Sequence, residues 1–176
     1  MTKITVLRIG HRKNRDKRIT THCGLVARAF GADKIIICGE EDECVNTINK
    51  ASKAWGGKFE AKYAKDFVKP LKKLKKTNKI VHLTFFGTPI QTAIKKIRKE
   101  KNILIVIGAE KVPRIVYNLA DYNVAVTNQP HSEVAALAIM LDKFFSGKEL
   151  NKKFTSAKKK IIPSKNGKNF KKKTYL

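Results

Sequence analysis

The sequence predicts an α/β fold, with a mostly parallel central sheet and helices on both faces. Three observations predict it. Short β-branched runs alternate with helical patterns over the first 147 residues. The run ILIVIG (103–108) is apolar throughout, as a central parallel strand covered on both faces must be. Most of the runs end in glycine or a small polar residue just before a helix, and ligands in such sheets bind beyond the carboxyl ends of strands.

The elements follow in order. ITVLRIG (4–10) reads as a strand ending in Gly10. HRKNRDKRITTH (11–22) reads as a basic loop, and a helix follows from about Cys23 to Phe30, closed by Gly31. KIIICG (34–39) is a buried strand. Residues 40–57 read as a helix with acids in its first turn, stopped by Gly56 and Gly57. KFEAKYA (58–64) alternates like a strand, and 66–76 is a basic helix that Pro70 is expected to interrupt. IVHLTFFG (80–87) is a strand. Thr88 then caps a helix reaching about Lys101, with Pro89 in its first turn. After ILIVIG a helix spans Pro113 to Ala120, NVAVTN (123–128) is a strand, and a helix runs to about Gly147. That last helix carries eight consecutive apolar residues, Val134 to Leu141. Two readings of it stand: burial in its own core, or completion of a dimer interface.

Charge bounds the partners. The chain of 176 residues carries 39 Lys+Arg against 14 Asp+Glu, a net charge of +25. Such a field captures polyanions, and nucleic acid is the expected partner. The arginines gather near the start, where residues 1–31 hold a single acid, Asp16. After Glu149 there is no acid and there are ten lysines. Arginine's planar fork suits phosphate and lysine acts as a point charge, so the first group reads as site residues and the tail as bulk electrostatics. No apolar run approaches a membrane span, and the first residues lack the apolar core of a secretory signal. Cys23, Cys38 and Cys44 show no CxxC spacing, which fits reduced thiols in a cytoplasmic protein.

The chemistry is expected in three strand-end loops: HLTFFG, IVIGAEKVP and VAVTNQPHSE. If their strands are neighbours, the loops line one pocket. Gly87 and Gly108 either let a ligand approach the backbone or simply end strands. Ser132 is preferred as the N-cap of the apolar helix over a nucleophile, since G-x-S-x-G is absent. Glu110 either holds a ribose diol or forms a solvated pair with Lys111. In the basic segment, Asp16 is placed to orient Arg12 or Arg18, and the arginines with helix amides form a phosphate site. The absence of GxGxxG and GxxxxGK[ST] argues against dinucleotide and P-loop folds. His11, His22, His82 and His131 match no ligand spacing, so no metal is expected.

VLRIGHRKNRDKRITTH, ARAFGADKIII, HLTFFG and IVIGAEKVPRIVYNLADYNVAVTNQPHSEVAAL stand in this order. Together they resemble the archaeal tRNA (cytidine-56) 2′-O-methyltransferases, members of the SPOUT superfamily. The resemblance covers about Ile4 to Pro163. It departs at Phe86, where tyrosine is usual, and at Thr127, where glycine is common. The resemblance implies a methyltransferase domain over 1–150, with a deep trefoil knot in about 80–147, and a lysine-rich extension over 151–176. It implies S-adenosyl-L-methionine held by Leu83, Thr84 and Gly87; by Gly108, Ala109, Glu110, Lys111 and Val112; and by Val126, Thr127, Asn128, Gln129, Pro130, His131, Ser132 and Glu133.

The activity it implies is 2′-O-methylation of the T-loop cytidine at the tRNA elbow, by a homodimer in the cytoplasm. Arg18 is the catalytic candidate, organising ribose and phosphate, with Asn128 and Ser132 orienting ribose or cofactor. Arg8, His11, Arg12, Arg15 and Arg18 are expected to meet RNA, with Lys158, Lys159 and Lys160 from the tail. The competing reading is a non-catalytic RNA-binding protein, which would not need the loops GAEKVP and NQPHSE.

Overall fold

The computed structural model describes residues 2–108 and 111–172. Six strands form one sheet: β1 (Lys3–His11), β2 (Lys34–Gly39), β3 (Glu60–Ala64), β4 (Lys79–Pro89), β5 (Asn102–Gly108) and β6 (Tyr122–Ala125). Between them run α1 (Lys13–Ala29), α2 (Cys44–Trp55), α3 (Val68–Lys75), α4 (Ile90–Ile97) and α5 (Arg114–Leu119), and α6 (Glu133–Phe145) follows β6. The strand order is β3-β2-β1-β5-β4-β6, and each neighbouring pair is parallel. The all-apolar β5 therefore sits at the centre, as its composition requires.

Strand alternation divides the core in two. Ile4 and Val6 of β1 and Ile103, Ile105 and Ile107 of β5 face α1, α2, α4 and α6. Leu7 and Ile9, with Leu104 and Val106, face α3 and α5. The odd and even positions of each strand thus serve opposite layers. The pairing of β4 with β6 skips from Leu83 to Thr88, both of which lie opposite Val124. Residues 84–87 bulge out of the ladder there, and this bulge helps to shape the site. Gly87 is needed at that point, since a Cβ would lie 2.5 Å from the Val124 backbone nitrogen.

The structure corrects four local expectations. The basic segment 11–22 is not a loop: α1 starts at Lys13, and Thr20, Thr21 and His22 lie within it. Lysine and arginine are good helix formers, and Asp16, Thr20, Cys23 and Ala27 recur on one buried stripe. Glu40 to Glu43 precede α2 rather than filling its first turn, and Asp42 accepts a hydrogen bond from the Cys44 amide at 2.6 Å. Pro70 does not interrupt α3, because it falls in the first turn, where its missing N–H costs nothing. Thr88 belongs to β4 rather than capping α4, which ends at Ile97.

Beyond α6, a short 3-10 turn at Lys148–Asn151 leads to an antiparallel hairpin of β7 (Lys159–Ile162) and β8 (Asn169–Lys172). Its root is tied to α2, where the Lys158 amide donates to the Ala54 carbonyl at 3.1 Å. Among the described residues, no helix is long and apolar enough to cross a membrane.

Candidate active site

The carboxyl ends of β4, β5 and β6 are neighbours, so the three loops singled out in the sequence converge. Between them lies a cavity of about 640 Å³. Leu83, Thr84, Gly108, Lys111, Val112, His131 and Glu133 line it, and all seven were expected at a cofactor site. Phe85, Phe86, Ile107, Tyr117 and Ala136 complete the wall. Tyr117 carries no signal in the sequence. It reaches the cavity because α5 lies against β4, where its hydroxyl is 3.2 Å from Thr84 Oγ1. A Cβ at Gly108 would collide with the Val112 side chain, which itself lines the cavity.

The loop after β6 is fastened to β4. Asn128 Nδ2 donates to the Phe85 and Gly87 carbonyls at 2.7 and 3.1 Å. Asn128 therefore acts on the other wall of the cavity rather than lining it. His131 stands edge-on to Phe85, with ring centroids 6.3 Å apart. Both of its ring nitrogens are buried without a hydrogen-bond partner. Unpaired buried polar atoms are costly, so their presence at a cavity marks a place for a polar ligand. Val126, Thr127, Gln129 and Pro130 belong to the same loop but do not line the cavity. Ala109 and Glu110 lie outside the described residues.

Below the cavity, His82 is fully buried on β4. Its Nδ1 is 2.8 Å from Asn123 Oδ1, and its ring meets Tyr117 edge-on at 4.6 Å. Burial pushes its pKa below the ordinary 6.5, against the raising effect of the Asn123 contact. The ring is held neutral because a buried imidazolium would be poorly solvated.

A second cavity of about 590 Å³ opens beside α1. Arg12, Arg15, Arg18 and His22 line it with Asp16, Ile19, Ser132, Glu133 and Val134. Arg12 precedes α1 in extended conformation, and the Asp16 carboxylate accepts from its backbone amide at 3.1 Å. The same carboxylate holds Arg12 Nε at 2.9 Å and Nη2 at 3.2 Å. Burial alone would raise the Asp16 pKa, but its hydrogen bonds and the charge of Arg12 hold it below the ordinary carboxylate value. Asp16 thus orients Arg12, not Arg18. Ser132 caps α6, accepting from the Val134 amide at 3.2 Å.

Two residues expected to meet RNA are placed elsewhere. Arg8 is 0% exposed. Its Nη1 donates to the Ile9 carbonyl at 2.9 Å, and Nη2 donates to Glu133 Oε1 at 3.1 Å. Strand period explains the burial: Arg8 follows Ile4 and Val6 on the core face of β1. His11 is also buried, its Nδ1 2.8 Å from Thr20 Oγ1 and its Nε2 3.1 Å from Asp42 Oδ2. His11, Asp42 and Cys44 gather ligand-type atoms within 4.8 Å of one another, a cluster that sequence spacing did not reveal. The Cys44 thiol lies 3.1 Å from the Lys17 carbonyl and 3.2 Å from Asp42 Oδ2, and burial pushes its pKa up to about 11. These contacts make a hydrogen-bonded network joining β1, α1 and the start of α2. Lys159 and Lys160 are exposed on β7, and Lys158 is exposed just before it.

Residues 55–171 match the family model described as tRNA ribose 2′-O-methyltransferase, aTrm56. The chain is 53% identical over 168 residues to the tRNA (cytidine(56)-2′-O)-methyltransferase of Methanocaldococcus jannaschii, covering 94% of both. To the enzyme of the same name from Thermococcus kodakarensis it is 56% identical over 170 residues, again covering 94% of both. Among solved structures, an RNA 2′-O ribose methyltransferase superposes with a TM-score of 0.62 at 14% identity. The match covers 84% of this chain and only 57% of that longer one. The A. aeolicus TrmH/SpoU tRNA modifying enzyme gives 0.56 at 13% identity, over 85% of this chain and 76% of its own. At such identities the structures show a shared fold.

Proposed function

Because this chain belongs to the tRNA ribose 2′-O-methyltransferase family aTrm56, we propose that it methylates the 2′-hydroxyl of the T-loop cytidine at position 56 of tRNA. The methyl donor in this reading is S-adenosyl-L-methionine, which when bound supplies an electrophilic methyl group on a sulfonium. The observation that carries the reading is one of adjacency. A cavity of cofactor size, about 640 Å³, adjoins a second one lined by three arginines.

The residues fit the cofactor. The cavity has an apolar floor of Leu83, Ile107 and Ala136, and the unpartnered His131 nitrogens can hydrogen-bond a polar ligand. Lys111 brings a cation to the rim. Thr84 and Tyr117 hold each other, and Asn128 holds the β4 bulge, so the walls are organised before a ligand arrives. Phe86, 75% exposed at the mouth, offers an apolar face that excludes water from a bound ligand.

The arginine cavity receives the ribose and its phosphates. Arg18 orients the attacking ribose; a guanidinium stays protonated, so its role is positional and electrostatic. Arg12 and Arg15 draw in the backbone, and Asp16 fixes the direction of Arg12. The surface lysines of the hairpin, Lys159 and Lys160, extend this grip. The domain then spans 1–150 and the basic extension 151–176.

Three further features belong to the proposal. Residues 80–147 thread a deep trefoil knot, as the family resemblance implies; a crystallographic trace of this segment decides it. The enzyme acts as a cytoplasmic homodimer. Leu25 on α1 and Ile139 on α6, 37% and 41% exposed, offer the apolar face for it, and sedimentation at the monomer mass of 19.9 kDa alone would reject the dimer. Incubation with labelled cofactor and unmodified tRNA, followed by mass-spectrometric mapping, tests the activity. Label on the T-loop cytidine is expected, and cofactor binding without transfer to tRNA would overturn the reading.

A further inference from the structure

The two cavities share one side chain. Among the described residues, Glu133 is the only one that lines both the cavity assigned to the cofactor and the cavity of arginines. On the reading given above, the methyl donor lies on one side of it and the ribose on the other. The 2′-hydroxyl and the methyl carbon must meet where the cavities join, beside this carboxylate. We propose that Glu133 is the proton acceptor for the ribose 2′-hydroxyl.

Its surroundings prepare it for that role. Glu133 is the first residue of α6, where the helix amides favour an anion. Its side chain is 16% exposed, which leaves it reachable. Oε1 is fixed by Arg8 Nη2 at 3.1 Å, across 125 residues of sequence. Arg8 comes from the core face of β1, in the row of Ile4 and Val6, where an apolar residue would cost less to bury. A buried guanidinium there is expensive as packing and sensible as a backstop. It holds the carboxylate in one orientation.

Among the described residues, the alternatives are committed elsewhere or misplaced. Ser132 spends its oxygen on the cap of α6. Asp16 is engaged by three hydrogen bonds from Arg12. His131 lines only the cofactor cavity and His22 only the arginine cavity. Arginine does not give up its proton.

The step balances. The hydroxyl oxygen bonds to the methyl carbon as the carbon–sulfur bond breaks, and the sulfur departs as a neutral thioether. The O–H bond breaks and its proton passes to the Glu133 carboxylate. General-base assistance of this kind is worth about 10²- to 10⁴-fold in rate.

The test is Glu133→Gln in the full-length protein, which keeps shape and hydrogen bonding but cannot take the proton. Single-turnover methylation of unmodified tRNA should fall at least about 10²-fold. S-adenosylmethionine affinity by calorimetry and tRNA affinity by filter binding should each change by less than about threefold, a shift below about 0.7 kcal/mol. A single-turnover rate within about threefold of wild type overturns the proposal. So does a loss of rate matched by a loss of cofactor affinity, since the carboxylate would then be a cofactor ligand. If the wild-type protein itself methylates no tRNA, the functional reading fails rather than this assignment. The single variant strands the buried Arg8, so Arg8→Met/Glu133→Gln is made in parallel. A folded double variant with wild-type rate overturns the proposal equally, and one with intact binding and a lost rate upholds it.

Discussion

Asn128 Nδ2 donates to the Phe85 carbonyl oxygen at 2.7 Å, and this bond ties the loop after β6 to the bulge in β4 from 43 residues away. The second bond, to the Gly87 carbonyl, makes the amide a two-point fastener. In the sequence Asn128 was a candidate for orienting ribose or cofactor. In the fold its NH₂ group is spent on the cavity's own walls. Asn128→Ala should weaken S-adenosylmethionine binding by about tenfold, since each net hydrogen bond is worth about 1 kcal/mol. Rate at saturating cofactor should fall far less. Calorimetry beside single-turnover kinetics checks both, and unchanged affinity would remove the fastener role.

Arg18 shares the second cavity with Arg12 and Arg15, and Arg12 is already turned toward Asp16. Arg18→Lys keeps the charge and loses the planar fork. Turnover should fall by about 10² or more, the scale of losing one well-placed electrostatic group, with cofactor affinity nearly intact. Equal turnover in the two proteins would reject the role.

His82 predicts how stability responds to acid. Burial lowers its folded pKa below 6.5, so the unfolded chain binds a proton more readily. The stability it contributes is present above the ordinary histidine pKa and is lost as pH falls through the lowered folded value. The melting temperature of the wild type should therefore drop as pH is lowered from 7 toward 5. Asp16 and Asp42, whose folded pKa values are also lowered, add their losses in more acidic solution. His82→Gln retains a donor for Asn123 and does not titrate. Its melting curve should be flatter over the same window, and an identical slope would show that His82 contributes nothing.

The hairpin offers lysines beside exposed apolar groups, with Phe170 at 51% exposure and opposite Ile161 in register. A cut after Pro163 would strip β8 from β7, whereas removing residues 159–176 takes the hairpin whole. That deletion should raise the KM for tRNA more than it lowers kcat, because distal lysines supply uniform binding. An unchanged KM at physiological salt would count against the grip.

Much of this site is legible in sequence where signals are local. Strand runs ending in Gly87 and Gly108 mark the loops, and Ser132 ahead of an apolar run marks the cap of α6. The start of α1 is hidden because five basic residues crowd Asp16 and mask a stripe built from Asp16, Thr20, Cys23 and Ala27. Arg8 reads as a surface charge by residue type and as a core position by strand period, and period prevails because Glu133 waits inside. That partner lies 125 residues away, and no local pattern joins the two. Tyr117 and the His11–Asp42–Cys44 network are likewise products of tertiary packing.

The most direct test of the central claim compares two tRNAs that differ in one atom. Transfer of labelled methyl from S-adenosylmethionine is measured on an unmodified transcript and on one carrying 2′-deoxycytidine at the T-loop position. The account predicts stoichiometric methylation of the first and none of the second. Equal labelling of both would place the methyl on another atom or another nucleotide and contradict it.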